Sequence, residues 1–158
     1  MVADMEILGD YTTSLVKALE EIDPDFMDYN ALVIAGSHTP KEPEQIIKKI
    51  KQYRENELPI YAECYGHQLC AIEYARNILG ITDATSEEFG TGTLVVKKRP
   101  ELKVGLHGGE SYWNNYEVVI DFYKPKNMIT AQYHASYQSS KQNPHPLLVK
   151  FIKLCKSK

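Results

Sequence analysis

Apolar runs alternate with helical patterns through the first half of the chain. Met5-Glu6-Ile7-Leu8-Gly9 predicts a short strand, and residues 13–22 predict a helix, with Leu15, Ala18, Leu19 and Ile22 spaced by three and four behind a Ser/Thr cap. Ala31-Leu32-Val33-Ile34-Ala35 is a continuous apolar run that ends at Gly36. Residues 43–55 then carry Ile46, Ile47, Ile50 and Tyr53 on one helical face and Lys48, Lys49 and Lys51 on the other, with Pro43 at the start, where a missing N–H costs least. A third unit, Leu58-Pro59-Ile60-Tyr61-Ala62, runs into a helix predicted over 65–79 with Gly80 as its stop. Unbroken apolar strands separated by helices predict a parallel sheet covered on both faces, whose ligands bind beyond the carboxyl ends of the strands. Residues 91–119 read differently. Thr93-Leu94-Val95-Val96, Lys103-Val104-Gly105-Leu106 and Tyr116-Glu117-Val118-Val119-Ile120 are short strands joined by Pro, Gly and Asn, as in an antiparallel insertion. Met128 to Tyr133 returns to a core strand, and residues 146–154 form a closing helix whose lysines make a solvated face.

The chain has 158 residues, 43% of them hydrophobic and 25% charged, which is enough for one sizeable core and suggests a single domain over 1–158. A net charge of −3 offers no field for nucleic acid or an anionic membrane. No apolar run approaches a membrane span, and residues 1–10 lack the pattern of a secretion signal. Three cysteines, an odd count without zinc-site spacing, suggest free thiols and a cytoplasmic location; the histidines and acids form no metal-ligand cluster. Neither a metal nor a cofactor is implied.

Candidate chemistry concentrates in Pro59-Ile60-Tyr61-Ala62-Glu63-Cys64-Tyr65-Gly66-His67-Gln68. A cysteine between a strand end and a helix start sits on a sharp turn near the positive end of the helix dipole, which is expected to lower its pKa and raise its thiolate fraction, and Ala62 and Gly66 are small enough to let that turn close. The plainer alternative is a buried structural thiol, as Cys70 and Cys155 are read to be. A thiol nucleophile needs a base, and His134, at the end of the core strand, shares the carboxyl edge with Cys64. His134 could equally be a polar rim residue. Among the other histidines, His67 points away along the helix, His38 follows the Gly36 turn, and His107 and His145 lie in loops. The backbone of the Gly36-Ser37 turn could form an oxyanion hole, or simply end a strand.

Cys64-Tyr65-Gly66-His67-Gln68 resembles the nucleophile elbow of class I glutamine amidotransferases. With 71–80, 83–89, Ala131-Gln132-Tyr133-His134 and Asn143-Pro144-His145-Pro146-Leu147, the chain looks specifically like the glutaminase domain of CTP synthases. The resemblance implies a flavodoxin-like, three-layer α/β fold with a mostly parallel sheet and a short antiparallel insertion. It also implies hydrolysis of glutamine, or a related small amide, through a cysteine thioester in the service of pyrimidine biosynthesis. By position, Cys64 would be the nucleophile and His134 the base. Tyr65, Gly66, His67 and Gln68 would line the substrate site, Glu88 would hold the α-amino group, and Gly36 would belong to the oxyanion turn. The partner implied is a synthase or amidoligase subunit, or a second copy of the chain. These 158 residues hold no counterpart of the amidoligase domain, so the expectation is that the chain does not make CTP by itself.

Several positions depart from the pattern. Ala135 and Ser136 stand where the family has Pro and the Glu that orients the histidine. Asn114 and Asn115 replace a basic residue that grips the substrate carboxylate, Ser37 replaces a glycine, and Glu63 replaces an apolar residue. A buried charge at position 63 is costly unless paired. Two readings therefore stand: a thiol amidohydrolase with a degenerate triad, and an inactive relative that binds a ligand or partner. A third arrangement, a protonated Glu63 paired with the Cys64 thiolate, is the least favoured.

Overall fold

A computed structural model describes residues 5–37 and 42–157; His38 and residues 1–4 lie outside them. The strands β1 (Met5–Leu8), β2 (Ala31–Ile34), β3 (Ile60–Glu63) and β7 (Met128–Ala131) form one parallel sheet in the order β1-β2-β3-β7. The helices α1 (Thr13–Ile22), α2 (Pro43–Glu55), α3 (Tyr65–Asn77) and α4 (Pro146–Lys156) cover it on both sides.

Strand alternation decides which side chain meets which layer. Leu32, Ile34, Ile60 and Ala62 pack against Ile46 and Ile50 of α2 and Leu69 and Ile72 of α3. Val33, Tyr61 and Ile129 pack on the other face against Leu15 and Leu19 of α1 and Leu148 and Phe151 of α4. All four residues of β2 are buried, which is why the strand is apolar throughout rather than alternating. Among the described residues no helix is long and apolar enough to cross a membrane.

The insertion extends further than the sequence suggests. β4 (Ala84–Ser86) pairs in parallel with β5 (Thr93–His107), and β5 pairs antiparallel with β6 (Glu110–Val118). The two strand candidates at 93–96 and 103–106 are thus one strand, with a register irregularity between Lys98 and Lys103, around Pro100. The hairpin turns at Gly108 and Gly109, both at positive φ (59° and 84°). Val95 and Val96 root it in the core on the α2/α3 side, while Leu106 and Trp113 are exposed on its arm. The hairpin is also tied to the segment after β7. The His134 N–H donates to the Ser111 carbonyl (2.7 Å), and the Ser111 N–H donates to Gln138 Oε1 (3.0 Å).

Candidate active site

β3 ends at Glu63 and α3 begins at Tyr65, so Cys64 must reverse the chain in a single residue. It does so at φ 51°, ψ −108°, a positive φ that costs a residue with a Cβ on the order of 1–3 kcal/mol and that persists where the surroundings enforce it. Gly66 makes the tight turn possible. A Cβ there would lie 2.7 Å from Ile34 Cγ2 and 2.8 Å from the Ile34 carbonyl oxygen, so only glycine lets α3 start so close to β2.

The Cys64 side chain is 8% exposed. Burial pushes its thiol up to about 12, and the charges of Glu63 and Glu88 act in the same direction against a bond from the Tyr65 N–H. The thiol is therefore protonated at rest, and its S–H donates to the Trp113 carbonyl (3.5 Å). The helix dipole does not overcome desolvation here, contrary to the expectation of a lowered pKa.

His134 lies three residues beyond the end of β7, later than the sequence suggests, and caps a 3-10 turn at Ala135–Gln138. Because β7 runs parallel to β3, the residue still reaches the carboxyl edge beside Cys64. Its ring stacks on Tyr137 (centroids 4.5 Å apart, 7° between planes). Burial lowers its pKa, partly offset by a bond to the Trp113 backbone, so the imidazole is neutral near pH 7. Gly36 closes the group from below: a Cβ on it would sit 2.9 Å from His134 Cε1 and 3.6 Å from Cys64 Cβ.

Two cavities meet at the sulfur. One, of about 320 Å³, is lined by Tyr11, Ser37, Cys64, Trp113, His134 and Tyr137. The other, of about 40 Å³, is lined by Ser37, Cys64, Tyr65, Gln68, Glu88, Trp113, Asn115 and Tyr116. Gln68 is held there by donating from Nε2 to the Tyr116 carbonyl (3.1 Å). Burial raises the pKa of the Glu88 carboxyl. Asn115 lines this cavity, while Asn114 is buried with its Oδ1 unpartnered.

His67 is not brought to either cavity. Its Nδ1 hydrogen-bonds with Thr130 Oγ1 (2.8 Å) and its ring packs near Phe122, on the α2/α3 face of the sheet. Burial, assisted by Lys124, lowers its pKa to about 4. The unfolded chain therefore binds a proton that the folded chain refuses between about pH 6.5 and 4, and stability is lost as pH falls through that window, by about 3 kcal/mol in the limit. His67→Gln is expected to flatten that loss in urea midpoints measured at pH 7 and 4.5; an unchanged difference between the two pH values would assign the acid sensitivity to other groups.

The proposed Glu63–Cys64 pair is not formed. Glu63 and Tyr61 point to the α1/α4 face, and the Glu63 carboxylate accepts from the Tyr61 hydroxyl (2.7 Å), the Ser136 N–H (2.7 Å) and Ser136 Oγ (2.9 Å). Trp113, Tyr137 and Tyr11 are site residues that the sequence did not single out; Trp113 contributes a backbone carbonyl, which leaves no trace in residue type. Among the described residues no three His, Cys, Asp or Glu side chains converge as a metal site would require.

The sequence model of the family Glutamine amidotransferase class-I matches residues 8–154. The CTP synthase of Methanoculleus marisnigri is 40% identical over 97 residues, which are 61% of this chain and 18% of that protein. The CTP synthase of Thermotoga maritima is 36% identical over 110 residues, 66% of this chain and 20% of the other. The chain thus spans about a fifth of the length of these curated relatives. In fold, it matches the glutaminase domain of Trypanosoma brucei CTPS, solved with bound acivicin, at a TM-score of 0.74 and 15% identity, over 98% of this chain and 94% of that one.

Proposed function

Because the chain belongs to the class I glutamine amidotransferase family, we propose that it cleaves the side-chain amide of glutamine, or of a related small amide, through a thioester at Cys64. The observation that carries this reading is the strained elbow: a cysteine held at φ 51° at the carboxyl edge of a parallel sheet, with a buried neutral imidazole at the same edge. Structural thiols such as Cys70 and Cys155, buried within helices, need no such backbone.

The sulfur attacks the amide carbon while the thiol proton passes to His134, so a thiol with a pKa near 12 need not ionise beforehand. The developing oxyanion is received by backbone N–H groups of the Gly36-Ser37 turn. His134 returns the proton to the amide nitrogen, the C–N bond breaks and ammonia leaves. Water, deprotonated by His134, then cleaves the thioester to glutamate and restores the thiol. Tyr65, Gln68 and Glu88 line the substrate side, with the Glu88 carboxylate available for an ammonium group. The ammonia goes to a synthase or amidoligase partner, or to an assembly of this chain with one, and so into pyrimidine biosynthesis.

Incubation with a glutamine-mimicking diazo-ketone tests the reading. Mass spectrometry is expected to find the label on Cys64 and glutamine is expected to suppress it. An unlabelled Cys64, or labelling indifferent to glutamine, would overturn it. A second reading, an inactive member that binds a ligand or partner, is favoured by one feature: asparagines stand where the resemblance places a cation, beside a cavity of only about 40 Å³. The same experiment separates the two.

A further inference from the structure

Two glutamates are buried in this chain, and they are satisfied differently. Glu73 meets the Arg54 guanidinium in a two-pronged pair at 2.6 and 2.8 Å. Glu63, 1% exposed, is given no fixed cation: its three close partners are the Tyr61 hydroxyl and the N–H and hydroxyl of Ser136. Burial raises the pKa of this carboxyl, the three donors on its two oxygens act against that and suit the ionised form, and a buried carboxylate calls for a positive charge nearby. Of the two histidines near it, His145 acts on Glu63 by its charge but already meets Glu110 (3.2 Å), which leaves His134 as the group that could become positive directly against the carboxylate. Its Nδ1 is buried, has no hydrogen-bond partner, and lies 3.9 Å from Glu63 Oε2. The strand register explains the encounter. Glu63 lies opposite Ala131 at the end of β7, and the 3-10 turn that follows carries His134 and Ser136 back over the sheet edge.

We propose that Glu63 is the carboxylate that positions His134, acting from the strand before the nucleophile in place of the acid that the family carries at position 136. Ser136 keeps that place but serves the opposite role: it donates both its N–H and its hydroxyl to Glu63, and so holds the carboxylate toward the ring. The gap of 3.9 Å is about an ångström longer than a hydrogen bond and closes with a tilt of the imidazole, as resting acid–base sites commonly do on binding substrate. Engaged in this way, Glu63 fixes the proton on Nδ1, frees the other ring nitrogen from its resting bond to the Trp113 backbone so that it can take the Cys64 proton, and offsets the imidazolium charge. The inference rests on the assignment of Cys64 and His134 made above.

The test is the rate of Cys64 labelling by the diazo-ketone between pH 5.5 and 9, together with an NMR titration of His134. The groups facing Glu63 are Tyr61 on its own strand, Cys64 next to it, His134, Ser136 and Tyr137 from the turn after β7, and His145 at the head of α4. Each is left unchanged in Glu63→Gln. That variant is expected to label at least tenfold more slowly. Its His134 is expected to titrate about one pH unit lower, as the loss of an anion within reach requires. Exchanging the two residues, Glu63→Ser with Ser136→Glu, is expected to bring the rate back to within threefold of the original. An unchanged rate and titration in Glu63→Gln, or a folded exchange variant no faster than Glu63→Gln, would overturn the proposal. If no variant folds, an imidazole 15N spectrum of the labelled original protein decides: Nδ1 carrying the proton supports the role, and a bare Nδ1 removes it. Fast labelling of His134→Asn would instead defeat the underlying assignment, whatever Glu63 does.

Discussion

His134→Asn is expected to slow the labelling of Cys64 about 10²- to 10⁴-fold near neutral pH while leaving the fold intact. The reason lies in the burial of the sulfur. A thiol pushed up to about 12 is almost wholly protonated at pH 7.5, so nearly all reactivity must come from proton removal during the attack. His134 is a neutral acceptor at the same sheet edge, its pKa lowered by burial. Without it, only pre-formed thiolate can react, and the rate is expected to climb tenfold with each pH unit through pH 9. The original protein is expected instead to reach a plateau once the imidazole is deprotonated. Second-order labelling rates of both proteins across pH 6–9 provide the comparison. Rates within threefold of each other, or parallel pH profiles, would remove His134 as the base and leave Cys64 as an ordinary buried thiol.

The parts of this site that were legible in the sequence are those set by local rules. Ala31-Leu32-Val33-Ile34 reads as a doubly covered strand because nothing polar interrupts it, and all four side chains are buried. Once β3 and β7 are recognised as parallel, Cys64 and His134 must emerge at one edge. What could not be read was set by contacts distant in sequence. Pro100 and the charges around it split the pattern of β5, so one strand looked like two. β4 has three residues, too few to show a period. The Trp113 carbonyl between thiol and imidazole is a backbone group on a hairpin some fifty residues from the nucleophile. Glu63 is the instructive intermediate. Its direction follows from the alternation with Tyr61, yet its purpose depends on what the chain lays over it 73 residues later. His67 shows the converse: its motif position suggested the substrate site, but one residue beyond Gly66 the helix has already turned the side chain toward Thr130 and Phe122.

Gly66→Val is expected to destabilise the protein by more than about 3 kcal/mol, beyond the usual cost of overpacking a core, and to abolish labelling of whatever remains folded. Even the first added carbon meets three atoms of Ile34 at 2.7–2.8 Å, one of them the carbonyl oxygen of β2, and the valine methyls have no lower-contact direction in a layer this dense. The clash can be relieved only by lifting the first turn of α3 from the sheet. That turn carries Tyr65, whose N–H bonds to the sulfur, and it is what holds Cys64 at positive φ. Stability and chemistry should therefore fail together, unlike in His134→Asn, where chemistry alone fails. Gly66→Ala should show the same coupling at smaller size. Adding Ile34→Ala removes the side-chain part of the contact and should recover some of the labelling, though not all, since the carbonyl oxygen at 2.8 Å stays in place. Melting curves and labelling rates measured on the same samples decide the matter. A Gly66→Val protein that melts normally yet no longer labels would show that the glycine acts on the substrate and not through the spacing of α3 and β2.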